Sequence, residues 1–314
     1  MTYLFVMDPA ETMSPDKDTS FAFLRAADSI NQPCLHALPG DVYWQGGKVW
    51  AHARPIIVSD SPPHVSLRDA SSVPVADLDA VFIRKDPPFD ENYLHLTQLL
   101  DLVVDSCLVL NRPTALQAAN EKLYALRFAE WMPKTMVSAN PDILLAFISD
   151  IGGDAVMKPL DGAGGSGILR VTPDGRNTRA VVDLLTSEGK TLAMAQAFEP
   201  AVIGGDKRVL LLDGQLLGAI RRVPRADDFR ANIHVGGSVE ATELTAKEAE
   251  LVGLVGPQLA AEGLYFVGLD LIGEKLIEIN VTSPTGIQEL ARLTGTDPAA
   301  RVIQWTESKR LRSH

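Results

Sequence analysis

Cysteine is nearly absent from this chain. Cys34 and Cys107 are the only two in 314 residues, and no CxxC or CxxH spacing occurs. Neither a disulfide framework nor a structural zinc site is therefore expected. Their neighbours Pro33, Leu35, Leu108 and Val109 mark both as ordinary buried thiols. Basic residues are also short, 29 against 40 acidic, for a net charge of -11. That balance argues against nucleic acid or an anionic membrane as the main partner, although a local cluster of Lys and Arg can still hold phosphates. No apolar run approaches the roughly 20 residues of a membrane span. The apolar start at residues 2–7 is too short and has no basic flank for a signal peptide, so a cytoplasmic protein is expected. The six histidines show no ligand spacing.

What is present is an ordinary globular composition, 46% hydrophobic and 22% charged, long enough for two domains or one elaborated α/β unit. Residues 3–7 form a short apolar run that stops at Asp8-Pro9, as a buried strand does. Helical spacing follows at 21–30, a hairpin pattern at 41–54 around Gly46-Gly47, and another buried strand at 79–84. A helix at 93–104 and a strand at 107–110 complete an order that favours a small parallel or mixed sheet. Beyond a boundary near 111–120 the spacing predicts helices at 121–131 and 141–149 and strands at 135–137 and 155–158. A glycine-rich loop follows at once. Strands are then expected at 192–198 and in a pair across 208–222, before a long helix at 246–262 and a final hairpin at 264–281. Residues 227–237, polar and glycine-flanked, are expected to be a mobile lid.

Three segments can carry chemistry. In the last hairpin, Glu278 and Asn280 are two apart on a strand and share a face, and Asp270 lies on the preceding strand. Two carboxylates and an amide are hard oxygen donors that suit Mg²⁺, though alternating strands also place polar residues toward solvent. A three-residue connection, 273–275, is expected to set Asp270 opposite Glu278, with Leu269, Leu271, Ile277 and Ile279 on the packed face. The loop Gly162-Ala163-Gly164-Gly165-Ser166-Gly167 lets backbone N–H groups converge on an anion. No Gly-Lys-Ser/Thr follows, so it is not a Walker A loop, and the strand-like 168–171 after it is wrong for a dinucleotide fingerprint. A glycine hairpin closing over phosphates fits better than a surface turn, given Lys158 just upstream. The third segment, 221–237, concentrates Arg221, Arg222, Arg225 and Arg230, which suit carboxylates and phosphates, or simply line a basic surface loop. The stiff, charged stretch Arg84-Lys85-Asp86-Pro87-Pro88-Phe89-Asp90 sits where α/β sheets place their sites.

Taken in order, the segments M-D-P (7–9), K-D-T-S-F-A (17–22), R-K-D-P-P-F-D (84–90), N-E-K-L (120–123) and K-P-L-D-G-A-G-G-S-G (158–167) resemble bacterial-type glutathione synthetases of the ATP-grasp superfamily. The series continues through M-A-Q-A-F (194–198), G-D-K-R-V-L (205–210), R-A-N (230–232), F-V-G-L-D (266–270) and E-I-N-V-T-S-P-T (278–285), nearly the whole length. The fold implied is α/β (α+β): a small N-terminal α/β domain over 1–120, then an ATP-grasp domain over 121–314. The latter would divide into a mobile glycine-loop lid at about 121–195 and a base at about 196–314.

The resemblance also implies roles. Lys122 and Lys158 would contact ATP, and Gly162, Gly164, Gly165, Ser166 and Gly167 would close over its triphosphate. Gln196, Phe198 and Glu199 would lie against adenine, with Asp206 near the ribose. Asp270, Glu278 and Asn280 would hold Mg²⁺ or Mn²⁺. Arg208, Arg230 and Asn232 would surround an acyl phosphate. Arg84, Asp86, Arg222, Ser283 and Thr285 would shape a peptide site. The reaction implied joins γ-glutamylcysteine to glycine in a cytoplasmic homo-oligomer, a tetramer as in related enzymes. The chain departs from the family at 286–289, where Cys-x-Arg-Glu is usual and Gly286-Ile287-Gln288-Glu289 stands here. That leaves open a ligase for another peptide and amino acid. A non-catalytic ATP-binding protein is the remaining alternative, against which the intact Asp270, Glu278, Asn280 and Arg208 speak.

Overall fold

A computed structural model describes residues 2–162, 164–224 and 238–310. The architecture is α/β, with three sheets. The first gathers β1 (Tyr3–Met7), β2 (Cys34–Ala37), β3 (Val42–Gln45), β4 (Lys48–Val58), β5 (Val65–Leu67), β6 (Ser71–Pro74), β7 (Ala80–Arg84) and β8 (Leu108–Leu110). Its centre, β2-β1-β7-β8, is parallel, and β4 pairs antiparallel with β2, β3, β5 and β6. Both β1 and β7 are buried along their whole length, which explains their unbroken apolar runs. The second sheet has the order β11-β10-β12-β9, from β9 (Thr135–Ser138), β10 (Ala155–Pro159), β11 (Leu169–Val171) and β12 (Ala193–Ala197). β13 (Asp206–Leu212), β14 (Gln215–Val223), β15 (Ser238–Ala241), β16 (Phe266–Ile272) and β17 (Lys275–Asn280) make the third, ordered β15-β14-β13-β16-β17.

Eight α-helices accompany them among the described residues: α1 (Thr19–Ser29), α2 (Glu91–Asp101), α3 (Pro113–Ala118), α4 (Pro141–Asp150), α5 (Thr178–Leu185), α6 (Ala246–Glu262), α7 (Ile287–Thr294) and α8 (Pro298–Arg310). None is long and apolar enough to cross a membrane. One apolar core runs from the first sheet (Leu4, Val81, Ile83) into the third (Val209, Leu269, Ile279). The second sheet with α4 and α5 encloses its own core around Leu144, Met157, Val182 and Ala195. Cys34 and Cys107 are free and buried, and burial pushes both thiols up to about 12.

Two expectations about local structure are corrected. Residues 124–131 form not an α-helix but a tighter helix with i→i+3 turns, broken where Phe128 leaves helical geometry (φ -117°, ψ 37°). Just before it, the Asn120 side chain accepts from Lys122 N and Leu123 N at 3.1 Å each, as a helix N-cap does, and Tyr124 N donates to Asn120 O at 2.8 Å, so the departure from α geometry comes after this first turn. In the last hairpin Asp270 does stand opposite Glu278, but no three-residue connection produces this. The turn is the tight pair Gly273-Glu274, both left-handed (φ 57° and 65°), and the register shifts by one residue at a bulge on β17. The bulge turns Ile277 away from the packed face into a small cavity, and Leu276 is fully buried in its stead.

Candidate active site

The carboxyl ends of the first sheet, the face of the third and the glycine loop of the second converge on one cavity of about 570 Å³. On the third sheet, β13, β16 and β17 align Arg208 with Asp270 and Asp270 with Glu278, so their side chains form a row across three strands. Arg208 donates from Nε to Asp270 Oδ1 at 2.6 Å and from Nη2 to Oδ2 at 3.0 Å. Gly268 makes room for this: a Cβ there would lie 3.0 Å from Arg208 Cδ and 3.1 Å from Pro284 Cβ. Arg222, opposite Asp206, donates Nε and Nη2 to its two carboxylate oxygens at 2.7 and 2.5 Å, and its Nη2 lies 3.0 Å from Asp270 Oδ2. Burial pushes the Asp270 carboxyl up, but the two guanidinium groups outweigh it and hold the group well below the usual carboxylate range.

Glu278 differs sharply from Asp270. Among the described residues no hydrogen bond reaches its carboxylate, and its nearest cation, Lys122 Nζ, is 3.9 Å away. Burial raises its pKa, partly offset by Lys122, and the charges of Glu121 and Asp270 raise it further. Such an under-compensated carboxylate is what a divalent cation relieves. Asn280 donates Nδ2 to Gly268 O at 3.2 Å, which leaves its Oδ1 available to a cation. On Asp270, Oδ1 carries a single hydrogen bond and retains acceptor capacity. Donor chemistry at Asp270, Glu278 and Asn280 therefore fits Mg²⁺, although no cluster of three or more His, Cys, Asp or Glu forms among the described residues.

Lys122 reaches across to the glycine loop, donating to Gly162 O at 2.6 Å. The cavity wall includes Gly162, Gly164, Gly165 and Ser166, whereas Gly167 turns against the Pro159 ring. A smaller neighbouring cavity of about 90 Å³ is lined by Lys158, Gln196, Phe198, Glu199 and Asp206, and shares Asp270 and Glu278 with the first. Within it Lys158 donates to Gln196 Oε1 at 2.7 Å, and Gln196 donates to Thr135 Oγ1 at 2.9 Å. Burial pulls the Lys158 ammonium down to about 8 against the opposing charge of Glu278, with Lys122 adding to the depression.

At the far end, Arg84 closes β7 beside Met7 of β1. Its guanidinium is buried, donates to Ser20 Oγ at 3.2 Å and Pro284 O at 3.1 Å, and has no carboxylate within ion-pair distance among the described residues. Burial lowers its pKa, against the more distant charges of Asp18 and Asp86. Asp86 is fixed through its own N–H to Asp8 Oδ2 at 2.9 Å. The turn containing Ser283 and Thr285 joins the two ends, since Arg84 donates to Pro284 O and Arg208 to Thr285 O, at 3.0 Å.

All the sequence-expected site residues thus line the two cavities except Gly167 and the two, Arg230 and Asn232, that lie outside the described residues with the expected lid at 227–237. Arg222 lines the cavity, with its Nε and Nη2 bonded to Asp206 and its Nη2 beside Asp270. Glu121 was missed. Its carboxylate accepts from Val281 N, Thr282 N and Thr282 Oγ1 at 2.8 to 3.0 Å, fixing the strand end just past Asn280. Its place inside N-E-K-L was the available signal. Lys17 and Asp18 of the K-D-T-S-F-A segment were missed as cavity wall, though Asp18 is a legible helix cap that accepts from Ser20 N at 2.6 Å.

Residues 1–117 match the family model of the prokaryotic glutathione synthetase N-terminal domain, and residues 121–295 that of the prokaryotic glutathione synthetase ATP-grasp domain. The glutathione synthetase of Synechocystis is 40% identical, covering 98% of this chain and 100% of its own length. That of Parasynechococcus marenigrum is 42% identical over 100% and 99%. Among solved structures, D-cycloserine synthetase DcsG superposes with a TM-score of 0.67 at 15% identity, covering 99% of this chain and 100% of that one. The ATP-grasp ligase PsnB, complexed with minimal precursor, Mg and ADP, gives 0.64 at 16%, covering 98% and 97%. At these identities the two structures show a shared fold.

Proposed function

The chain belongs to the prokaryotic glutathione synthetase family and is an ATP-dependent ligase; from that premise we propose that it joins the cysteinyl carboxylate of γ-glutamylcysteine to glycine through an acyl phosphate. The observation that carries this reading is the row Arg208–Asp270–Glu278, set in one cavity between the glycine loop and the buried Arg84, which has no ion pair among the described residues.

On this reading the cysteinyl carboxylate attacks the γ-phosphate and ADP departs. The glycine amine, having lost its ammonium proton, then attacks the acyl carbonyl and phosphate leaves. Arg208 stabilises charge on the transferring phosphoryl group and on the tetrahedral oxyanion, held in place by Asp270 and Thr285 O. Arg230 and Asn232 join it there. Lys122, Lys158 and the glycine loop hold the triphosphate, while Gln196, Phe198 and Glu199 receive the adenine and Asp206 the ribose side. Asp270, Glu278 and Asn280 hold Mg²⁺, or Mn²⁺, which neutralises phosphate charge when bound. Arg84 and Asp86 with the turn at Ser283 and Thr285 receive the peptide, and Arg222 keeps Asp206 and Asp270 in register.

The same reading divides the chain at residue 120 into a substrate domain and an ATP-grasp domain. The separate core of the second sheet supports a lid that moves as a unit. It also makes the protein a cytoplasmic homo-oligomer, a tetramer. The deciding experiment measures ADP release by the purified protein with Mg–ATP and a panel of dipeptides and amino acids. Release that requires both γ-glutamylcysteine and glycine is expected. Release only with another peptide or acceptor would overturn the substrate assignment while leaving the ligase standing.

A further inference from the structure

Gln288 lies in the first turn of α7, just after the Ser283–Thr285 turn. In the structure this side chain does not face the cavity centre. Gln288 Nε2 donates to Pro15 O and to Asp18 O, at 2.7 Å each. A primary amide has two N–H donors, so both are used. One turn further along α7, Arg292 donates from Nη1 to Asp16 O at 2.6 Å. Positions 288 and 292 lie on the same helical face, and together they capture three carbonyls of a single turn some 270 residues away in sequence. That turn is otherwise held by Lys17 N and Asp18 N donating to Ser14 O at 3.1 and 2.9 Å. Its outer side is cavity wall, through Ser14, Lys17 and Asp18.

We propose that Gln288 and Arg292 are positioning residues that clasp residues 15–18 over the peptide end of the cavity, and that they set affinity for the donor peptide without touching it. The inference rests on reading that end of the cavity as the peptide site. Its physical basis is that a short surface turn has little buried apolar area to order it, so side-chain hydrogen bonds to its carbonyls decide how it is held. The helix that supplies them starts directly after the turn whose Pro284 and Thr285 carbonyls hold Arg84 and Arg208. The wall of the peptide end and the two arginines are therefore referred to the same rigid element. Arginine at 288 has donors enough for the same two carbonyls.

The test pairs kinetics with hydrogen exchange on Gln288→Ala and Gln288→Arg. Gln288→Ala is expected to speed exchange at the Lys17 and Asp18 amides and to raise the KM for γ-glutamylcysteine on the order of tenfold, as two lost hydrogen bonds imply. The KM for ATP should stay within about twofold, and Gln288→Arg should restore both readouts. Unchanged exchange at 17 and 18 would overturn the clasp. Faster exchange with an unchanged peptide KM would overturn its link to substrate affinity. Wild-type failure to ligate γ-glutamylcysteine would instead overturn the underlying reading. Should Gln288→Ala not fold, Arg292→Ala cuts the third arm from an exposed side chain and is read the same way.

Discussion

ATP binding is expected to take up protons above neutral pH, and Lys158 is the group that takes them. The residue is 5% exposed, and among the described residues its ammonium makes one hydrogen bond, to a neutral acceptor, Gln196 Oε1 at 2.7 Å. Burial brings its pKa to about 8, with Glu278 too weak to restore it. A triphosphate beside the amine supplies the missing counter-charge and returns the pKa toward its ordinary value. The uptake on binding should then be about 0.1 proton at pH 7, about 0.5 at pH 8 and about 0.9 at pH 9. Isothermal titration of a non-hydrolysable ATP analogue in buffers of different ionisation enthalpy reads this number directly, above the range where the γ-phosphate itself titrates. The sign also fixes a stability effect. Between about pH 8 and 10.5 the unfolded chain keeps this proton and the folded protein has lost it, so stability should rise with pH across that window, by on the order of 3 kcal/mol for this group. Lys158→Met should abolish both effects. Uptake that stays flat from pH 7 to 9, or that rises equally in Lys158→Met, would refute the argument.

Glu278→Gln should keep the fold, because no hydrogen bond among the described residues depends on the carboxylate, and should abolish ligation; a shift in the Mg²⁺ dependence of nucleotide binding is the check. Arg208→Ala should lower kcat by about 10²–10³ with a much smaller change in ATP affinity, as steady-state kinetics will show; Arg222 remains on Asp270 and limits the loss of stability. Gly268→Ala should reduce turnover with thermal stability only modestly lower, since the new Cβ crowds Arg208 Cδ at 3.0 Å and Pro284 Cβ at 3.1 Å. Full kcat in the Gly268→Ala enzyme would show that Arg208 need not lie where it does.

Patterns local to one element were legible in the sequence. The apolar runs of β1 and β7, the glycine loop after β10 and the alternation Glu278-Ile279-Asn280 each follow from neighbours a few residues apart. Helices without a local start signal were not. α7 begins at Gly286 with φ 111° and no side-chain cap, so it lacked the usual marker, whereas α5 follows Asn177, a cap residue type whose side chain makes no cap hydrogen bond and which went unread. The start of α8 was readable and went unread: Asp297 precedes Pro298, and its Oδ1 accepts from Ala300 N at 2.9 Å. Partnership across strands was beyond reach. That Arg222 pairs with Asp206 depends on the β13–β14 register, which no single segment encodes.

The Asp270–Glu278 pair shows why position can be inferred when mechanism is not. Two carboxylates on adjacent antiparallel strands share a face only if they are directly opposed or offset by an even number of residues. A two-residue turn at Gly273-Glu274 sets Ile272 opposite Lys275 and, in a regular ladder, Asp270 opposite Ile277. One extra residue must enter somewhere between. A longer turn and a bulge satisfy that count equally, so parity alone cannot choose between them. The structure places the extra residue in β17, and the consequence reaches the site. A longer turn would have left Ile277 on the packed face. The bulge instead delivers Ile277 to the small cavity beside Gln196 and Phe198, so one irregularity both aligns the carboxylates and supplies an apolar wall next to them.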